Sequence, residues 1–218
     1  MSPATTARRT ASSSTEEGGS APRSPRQAAR REATRAEILD AAWTIVQREG
    51  LAALSLRDLG AQVGMRAQSI YSYFGSKNDI YDLMFRQGYE QMLDEVVVEV
   101  ADTELPGFLV TARKGALDYF DFCVADTVRY QLLFQRTIPG FEPSPASYAV
   151  AVDAYDRTVG QLRCFPGTTD ADLDLWTALL SGLVSQQVAN EPGGTRWRDL
   201  VPGTIELLLA NIAERRST

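Results

Sequence analysis

The sequence predicts an all-α protein: a three-helix head carrying a helix-turn-helix, followed by a larger helical body, about nine helices in all. Three observations carry that expectation. From about residue 30 onward, apolar residues recur at steps of three and four, as 3.6 residues per turn requires. Gly50, Gly64, Gly75 and the pairs Pro139-Gly140, Pro166-Gly167 and Pro192-Gly193 cut the pattern into helix-length pieces. Between those breaks no segment alternates apolar and polar residues as a half-buried strand does.

The first helix steps through Ile38, Ala42, Ile45 and Val46 and stops at Gly50. Ser55 caps the second, with Asp58 three residues on among its free N–H groups, and Leu56, Leu59 and Val63 give it one apolar face. The third spans about 67–74. Ser76 or Asn78 caps a long fourth helix that carries Ile80, Leu83, Met84, Met92, Val96, Val97 and Val100 to near Asp102. The fifth runs over about 106–125, with Pro106 acceptable in its first turn. The sixth covers about 128–136, the seventh 147–162, the eighth 170–190 and the ninth 198–215.

Composition removes several classes of function. Of 218 residues none is histidine, which excludes His-based general bases, Ser-His-Asp triads and His-liganded metals. Cys123 and Cys164 are too few and too far apart for a zinc ribbon or a disulfide framework. No G-x-S-x-G, Walker A or G-x-G-x-x-G motif is present, and Asp118, Asp121 and Asp126 are spaced like a solvated helix face. A non-enzyme without cofactor or metal is the expectation. Residues 1–29 hold Ser12-Ser13-Ser14, Gly18-Gly19, Pro22, Pro25 and scattered arginines, with no large aliphatic to offset the entropy of ordering. They are expected to be a disordered tail, ahead of a head over 30–77 and a body over 78–218. With no signal-peptide core and no long apolar run, the expected location is the cytoplasm, away from the membrane.

The window Ser55 to Lys77 is the most informative. Two short helices joined through Gly64-Met65-Arg66 fit a helix-turn-helix, whose second helix enters the DNA major groove. The stretch Ser55-Leu-Arg-Asp-Leu-Gly-Ala-Gln-Val-Gly-Met-Arg-Ala-Gln-Ser-Ile-Tyr-Ser-Tyr-Phe-Gly-Ser-Lys-Asn-Asp79 resembles the DNA-binding signature of the TetR family of bacterial regulators. The Ser at the helix start, Val63-Gly64 before the turn, the Ile70-Tyr-x-Tyr-Phe74 core and Lys77 ahead of a long helix carry the likeness, together with Ala41-Ala42 upstream; it spans about residues 31–85.

That resemblance assigns roles. Gln68 and Ser69, with Ala67 beside them, stand where side chains first meet base edges, and Arg66 sits just before; Gln pairs with adenine and Arg with guanine. Arg57 matches a base- or phosphate-contacting position. Ser55, Tyr71, Tyr73 and Lys77 match phosphate-gripping positions, which orient the protein and do not specify sequence, and Ser72 lies among them. The competing reading places Tyr71 and Phe74 in the head core and leaves Arg66 a solvated turn residue.

In the body, Trp176-x-x-Leu-x-Ser-Gly182 is similar to the Trp-His-Gly motif of one TetR C-terminal subclass, with Ser181 where that subclass has its His, and Tyr130-Gln-Leu-Leu-Phe134 resembles a segment upstream of it. The family likeness implies an apolar cavity for a hydrophobic or aromatic effector, with Tyr89, Met92, Tyr119, Phe120, Cys123, Phe134, Tyr155, Trp176 and Leu180 as candidate lining. It also implies a homodimer on a palindromic double-stranded operator, joined through the last two helices, with Leu173, Leu180, Leu183, Val184, Ile205, Leu208 and Ile212 as candidate interface residues. Ordinary core packing competes for each of these. The implied function is a ligand-responsive repressor. A transcriptional activator, or a ligand-sequestering protein of the same fold that does not read DNA, is the alternative.

Net charge is −6, which by itself argues against a nucleic-acid partner. The charge is divided, however: residues 1–77 hold 11 Arg+Lys against 7 Asp+Glu (+4), and residues 78–218 hold 11 against 21 (−10). A basic head on an acidic body orients approach to DNA.

Overall fold

The computed structural model describes residues 24–96 and 98–217, and every regular element among them is helical. The head comprises α1 (Pro25–Glu49), α2 (Leu56–Gln62) and α3 (Ala67–Ile70). The body comprises α4 (Lys77–Glu95), α5 (Leu105–Ala125), α6 (Thr127–Phe134), α7 (Pro145–Arg157), α8 (Asp170–Asn190) and α9 (Val201–Ser217). Short 3-10 turns occupy 51–53, 159–164 and 198–200.

Two Ser-x-x-Asp caps set the head's register. The Ser55 hydroxyl accepts the Asp58 N–H (3.1 Å) at the start of α2, and the Ser76 hydroxyl accepts the Asp79 N–H (3.2 Å) at the start of α4. Gly64 ends α2 at φ +69°, a left-handed conformation that favours glycine. Gly60 is required for space instead. A Cβ there would lie 2.7 Å from the Met65 carbonyl oxygen, so only glycine lets the turn close against α2.

Ile38, Ala42, Ile45 and Val46 of α1 pack with Leu59, Ile70 and Phe74 as one buried cluster, which continues through Ile80, Tyr81 and Met84 of α4 into the body. Tyr81 is wholly buried, and its hydroxyl donates to the Leu51 carbonyl at 2.5 Å. The long fourth helix thus belongs to both cores. α5, α8 and α9 pack on one another in the body, and α7 lies against α4.

Several boundaries differ from the sequence expectation, and four have a local cause. α1 begins at Pro25, inside the segment 1–29 expected to be disordered, because Ser24 and Gln27 close a reciprocal cap around it. The rest of that expectation concerns residues 1–23, which lie outside the described residues. α4 ends at Glu95 and not near Asp102: its β-branched C-cap Val96 is buried, and Val98 and Val100 lie outside any helix. Val97, expected on that helix, is outside the described residues. α7 ends at Arg157, where the Thr158 hydroxyl donates to the Ala154 carbonyl (2.6 Å) and the chain tightens into a 3-10 turn. α3 ends at Ile70, and 71–74 continue as a tight turn closed by Tyr73 and Phe74 N–H groups on the Ile70 carbonyl.

Candidate functional site

The head presents one polar face. Arg57, Arg66, Gln68, Ser69, Tyr71 and Ser72 are exposed or half-exposed, and Ser55, Ala67, Tyr73 and Lys77 are half-buried around them. Arg66 forms the N-cap of α3 in extended conformation, so Gln68 and Ser69 lie in the first turn, where a recognition helix meets base edges. Tyr71 is 50% exposed whereas Ile70 and Phe74 are buried, which separates the two readings left open by the sequence: Phe74 is head core and Tyr71 is surface. Lys77 is held in place, its Nζ donating to the Leu54 carbonyl at 3.3 Å and lying 5.4 Å from the Tyr81 ring centroid.

α1 supports this face from behind. Arg35 donates to the Tyr73 carbonyl at 2.5 Å and its guanidinium lies 4.6 Å from the Phe74 ring centroid. Arg31 donates to the Ser72 carbonyl and covers the Tyr73 ring at 5.0 Å. These two arginines satisfy the carbonyls left open where α3 ends, a role that no sequence pattern assigns to them.

The body has a partly open cavity of about 190 Å³ bordered by α4, α5, α7 and α8, the α4–α5 connector and the turn after α7. Seven of the candidate lining residues border it: Tyr89, Met92, Tyr119, Phe134, Tyr155, Trp176 and Leu180. Phe120 and Cys123 are not among its lining; both are fully buried in the core, Cys123 next to Tyr119. Residues missed by sequence reasoning include Val98 and Val100 of the α4–α5 connector, Thr111 and Gly115 of α5, Gln161, and Thr177 and Ser181 of α8. The connector valines fit the helical pattern that precedes them, and the glycine and threonines carry no apolar signal. Gly115 admits the connector, since a Cβ there would sit 2.8 Å from a Val98 methyl.

No Asp, Glu, Lys or Arg lines the cavity among the described residues. Burial raises the pKa of the Tyr119 hydroxyl well above the usual phenol value, with the Ser181 hydroxyl and the Cys123 thiol beside it. Burial likewise pushes the Cys123 thiol up to about 12. Tyr89 donates to the Leu133 carbonyl at 3.3 Å and is also raised by burial.

The expected interface residues are mostly core. Leu173, Leu180, Val184, Ile205, Leu208 and Ile212 are each at most 4% exposed, filled in by their own protomer, and only Leu183 of that set remains partly open. The outward faces of α8 and α9 carry Leu175 (46% exposed) and Leu207 (76%), with Ala178, Gly182, Gly203 and Ala210 around them. A long apolar stripe does not reveal which of its edges faces inward, and here the densest part packs the core.

Residues 38–84 match the family model described as bacterial regulatory proteins, tetR family. Rv1816 of Mycobacterium tuberculosis, an HTH-type transcriptional regulator, is 25% identical over 130 residues, 60% of this chain and 51% of the relative. The chain therefore spans about half the length of the curated relatives it matches. A protein of unknown function from Rhodococcus sp. RHA1 has the same fold at a TM-score of 0.66 and 17% identity, covering 81% of this chain and 94% of that one. The TetR family transcriptional regulator PfmR from Thermus thermophilus follows at a TM-score of 0.56 and 18% identity, covering 79% and 97%. The fold is TetR-like, a helix-turn-helix head on a helical body, and the head is the part matched by the tetR-family domain. The curated relatives are named as HTH-type transcriptional regulators. No helix of the described residues is long and apolar enough to cross a membrane.

Proposed function

We propose that this chain is a ligand-responsive, DNA-binding transcriptional regulator, acting as a repressor that a small uncharged apolar effector releases from its operator. The observation that carries this reading is α4: the helix that packs into the head core through Ile80 and Met84 also lines the body cavity with Tyr89 and Met92. An occupant of the cavity therefore touches the element on which the head stands.

Gln68, Ser69 and Arg66 read bases, while Ser55, Tyr71, Tyr73 and Lys77 hold phosphates. Two protomers joined across the Leu175 and Leu207 faces present two heads to a palindromic operator, about one helical turn (~34–36 Å) apart. Effector size and polarity follow from the cavity. Its 190 Å³ lies below the roughly 300–1,000 Å³ of drug-sized pockets, and a lining without formal charge disfavours an ion, so the effector is compact and neutral. Tyr119, Ser181, Thr177 and Gln161 supply hydrogen bonds for one or two polar atoms. Binding favours a state in which α4 has shifted and the heads no longer match the half-sites; coupling of this kind is typically about 1–3 kcal/mol and reciprocal.

Gel shift with the DNA upstream of the gene and of its neighbours tests the first half of the proposal, and a panel of neutral apolar compounds added to the complex tests the second. Retarded duplex that a cavity-binding compound releases is the expected result. A compound that saturates the cavity and leaves operator affinity unchanged overturns the repressor mechanism.

A further inference from the structure

Among the described residues, the first two turns of α1 pack against nothing. Residues 24–30 are all exposed, and the first buried residue of the helix is Ile38. A free helix of two turns is not stable in water, so these turns depend on the Ser24–Gln27 cap and on Arg31 and Arg35 being fastened behind α3. What they display is positive charge. Arg26 and Arg30, four residues apart, share one face and lie about 6 Å apart along the axis. Among the described residues neither has a carboxylate partner, and the first turn of α1 has no acidic residue. Cations at that end oppose the helix's own field, so nothing among the described residues favours them there.

Their position indicates the missing anion. Gln27, Arg30, Arg31 and Tyr73 border an open cleft, and Tyr73 stands three residues beyond Ile70, the last residue of α3. The cleft thus continues the DNA-facing surface past the end of the recognition helix. Its polar groups are the Arg30 guanidinium, whose fork fits a phosphate, the Arg31 guanidinium that already donates to the Ser72 carbonyl, a side-chain amide and a phenol hydroxyl.

We propose that the N-terminal turns of α1 are an additional phosphate-binding surface, in which Arg26 and Arg30 take DNA backbone phosphates flanking the half-site read by α3. This rests on the reading of the head as a DNA-binding domain. Arg31 is a positioning residue here, since its contact with Ser72 holds α1 against the end of α3. Successive phosphates on one strand rise about 3.4 Å along the duplex axis, so arginines about 6 Å apart take separate ones. The surface adds affinity and register without adding base preference.

The test compares the wild-type chain with the Arg26→Ala/Arg30→Ala variant on a palindromic duplex that the wild type selects from random-sequence DNA. The duplex is made in two lengths, one ending at the half-sites and one extended by several base pairs on each side, and affinity is read by anisotropy between about 50 and 200 mM salt. Both residues are exposed, and circular dichroism and melting of the variant serve as the folding control. The expected result is a salt slope on the long duplex shallower by about 0.9 per arginine lost, with wild type binding the long duplex more tightly and the variant indifferent to length. Equal slopes, with the same length dependence in both proteins, overturn the proposal and leave the head reading intact. Wild-type protein that selects no duplex at all overturns both.

Discussion

The side-chain amide of Gln47 on α1 donates to the Asp126 carboxylate across 2.8 Å, a hydrogen bond between head and body. Asp126 is also the N-cap of α6, its other oxygen accepting the N–H groups of Val128 (3.1 Å) and Arg129 (2.9 Å). Arg129 is buried and donates to the Phe122 carbonyl (2.8 Å) and to Gln91 Oε1 (3.1 Å), so α1, α4, α5 and α6 meet at this one place.

The two partners should therefore fail differently. Asp126→Ala removes the cap as well as the head contact and should cost about 0.5–2 kcal/mol in chemical unfolding. Gln47→Ala removes only the contact between part-exposed side chains and should stay within about 0.5 kcal/mol of wild type. Both should reduce the ratio of operator affinities measured with and without effector. Equal destabilisation by the two variants would show that the cap is not what Asp126 contributes.

Within the body, the buried Asp172 carboxylate accepts the Thr169 N–H (2.8 Å) and hydroxyl (2.7 Å) and a guanidinium N–H of Arg215 (2.7 Å) from the last turn of α9. Burial raises its pKa, but the hydrogen bonds from Arg215 and Thr169 outweigh that and hold it below the ordinary 3.8. A carboxylate lowered in the folded state contributes stability that is complete above its unfolded value and is lost as pH falls through the folded one. The melting-temperature gap between wild type and Arg215→Ala should thus be steady from about pH 7 to 5 and shrink below about pH 4. A gap that widens in acid contradicts the assignment.

The proposed DNA contacts divide into base-reading and phosphate-holding residues, and binding measurements should divide with them. Gln68→Ala, at a first-turn position of α3, should change preference at one base pair per half-site by about 1–3 kcal/mol and leave other positions alone. Lys77→Ala should weaken every duplex alike and make the salt slope shallower by about one per protomer. Operator variants assayed at several salt concentrations distinguish the two outcomes; identical profiles would mean that one residue has been given the wrong role.

The head is legible in the sequence almost residue by residue, because a helix-turn-helix is local: Ser55, Gly64, Arg66 and Ser76 each act within a few residues of their own position. Most of the cavity's aromatic lining is legible for another reason, since large rings on a helical stripe point inward whether they fill a core or border a space. The pattern does not separate those outcomes, so Phe120 and Cys123 look the same as Tyr119. The expected interface residues carry the same ambiguity: Ile205 and Ile212 satisfy the helical period, and both are buried within the protomer. The connector valines are hidden by periodicity, because a Val-rich stretch following a helix continues its pattern while leaving its geometry. Arg31 and Arg35 contact residues 41 and 38 positions away, a relation no local pattern contains.

The cavity's electrostatics give the last expectation. With the Tyr119 hydroxyl far above its usual pKa and the neighbouring Cys123 thiol at about 12, neither group gains or loses a proton near neutrality. Effector affinity, read by calorimetry, should therefore be flat from about pH 6 to 9. Tyr119→Phe keeps the ring and removes one hydrogen-bonding group, so it should weaken effector binding by about 0.5–1.5 kcal/mol, a few-fold to roughly tenfold, with operator affinity of the free protein unchanged. Thiol reagents offer an independent check at pH 8: exposed Cys164 should react, and buried Cys123 should not until the chain unfolds. Should Cys123 react as fast as Cys164, or affinity fall steeply across that pH range, the body would be open to water at Tyr119. The case for an uncharged effector would then fail.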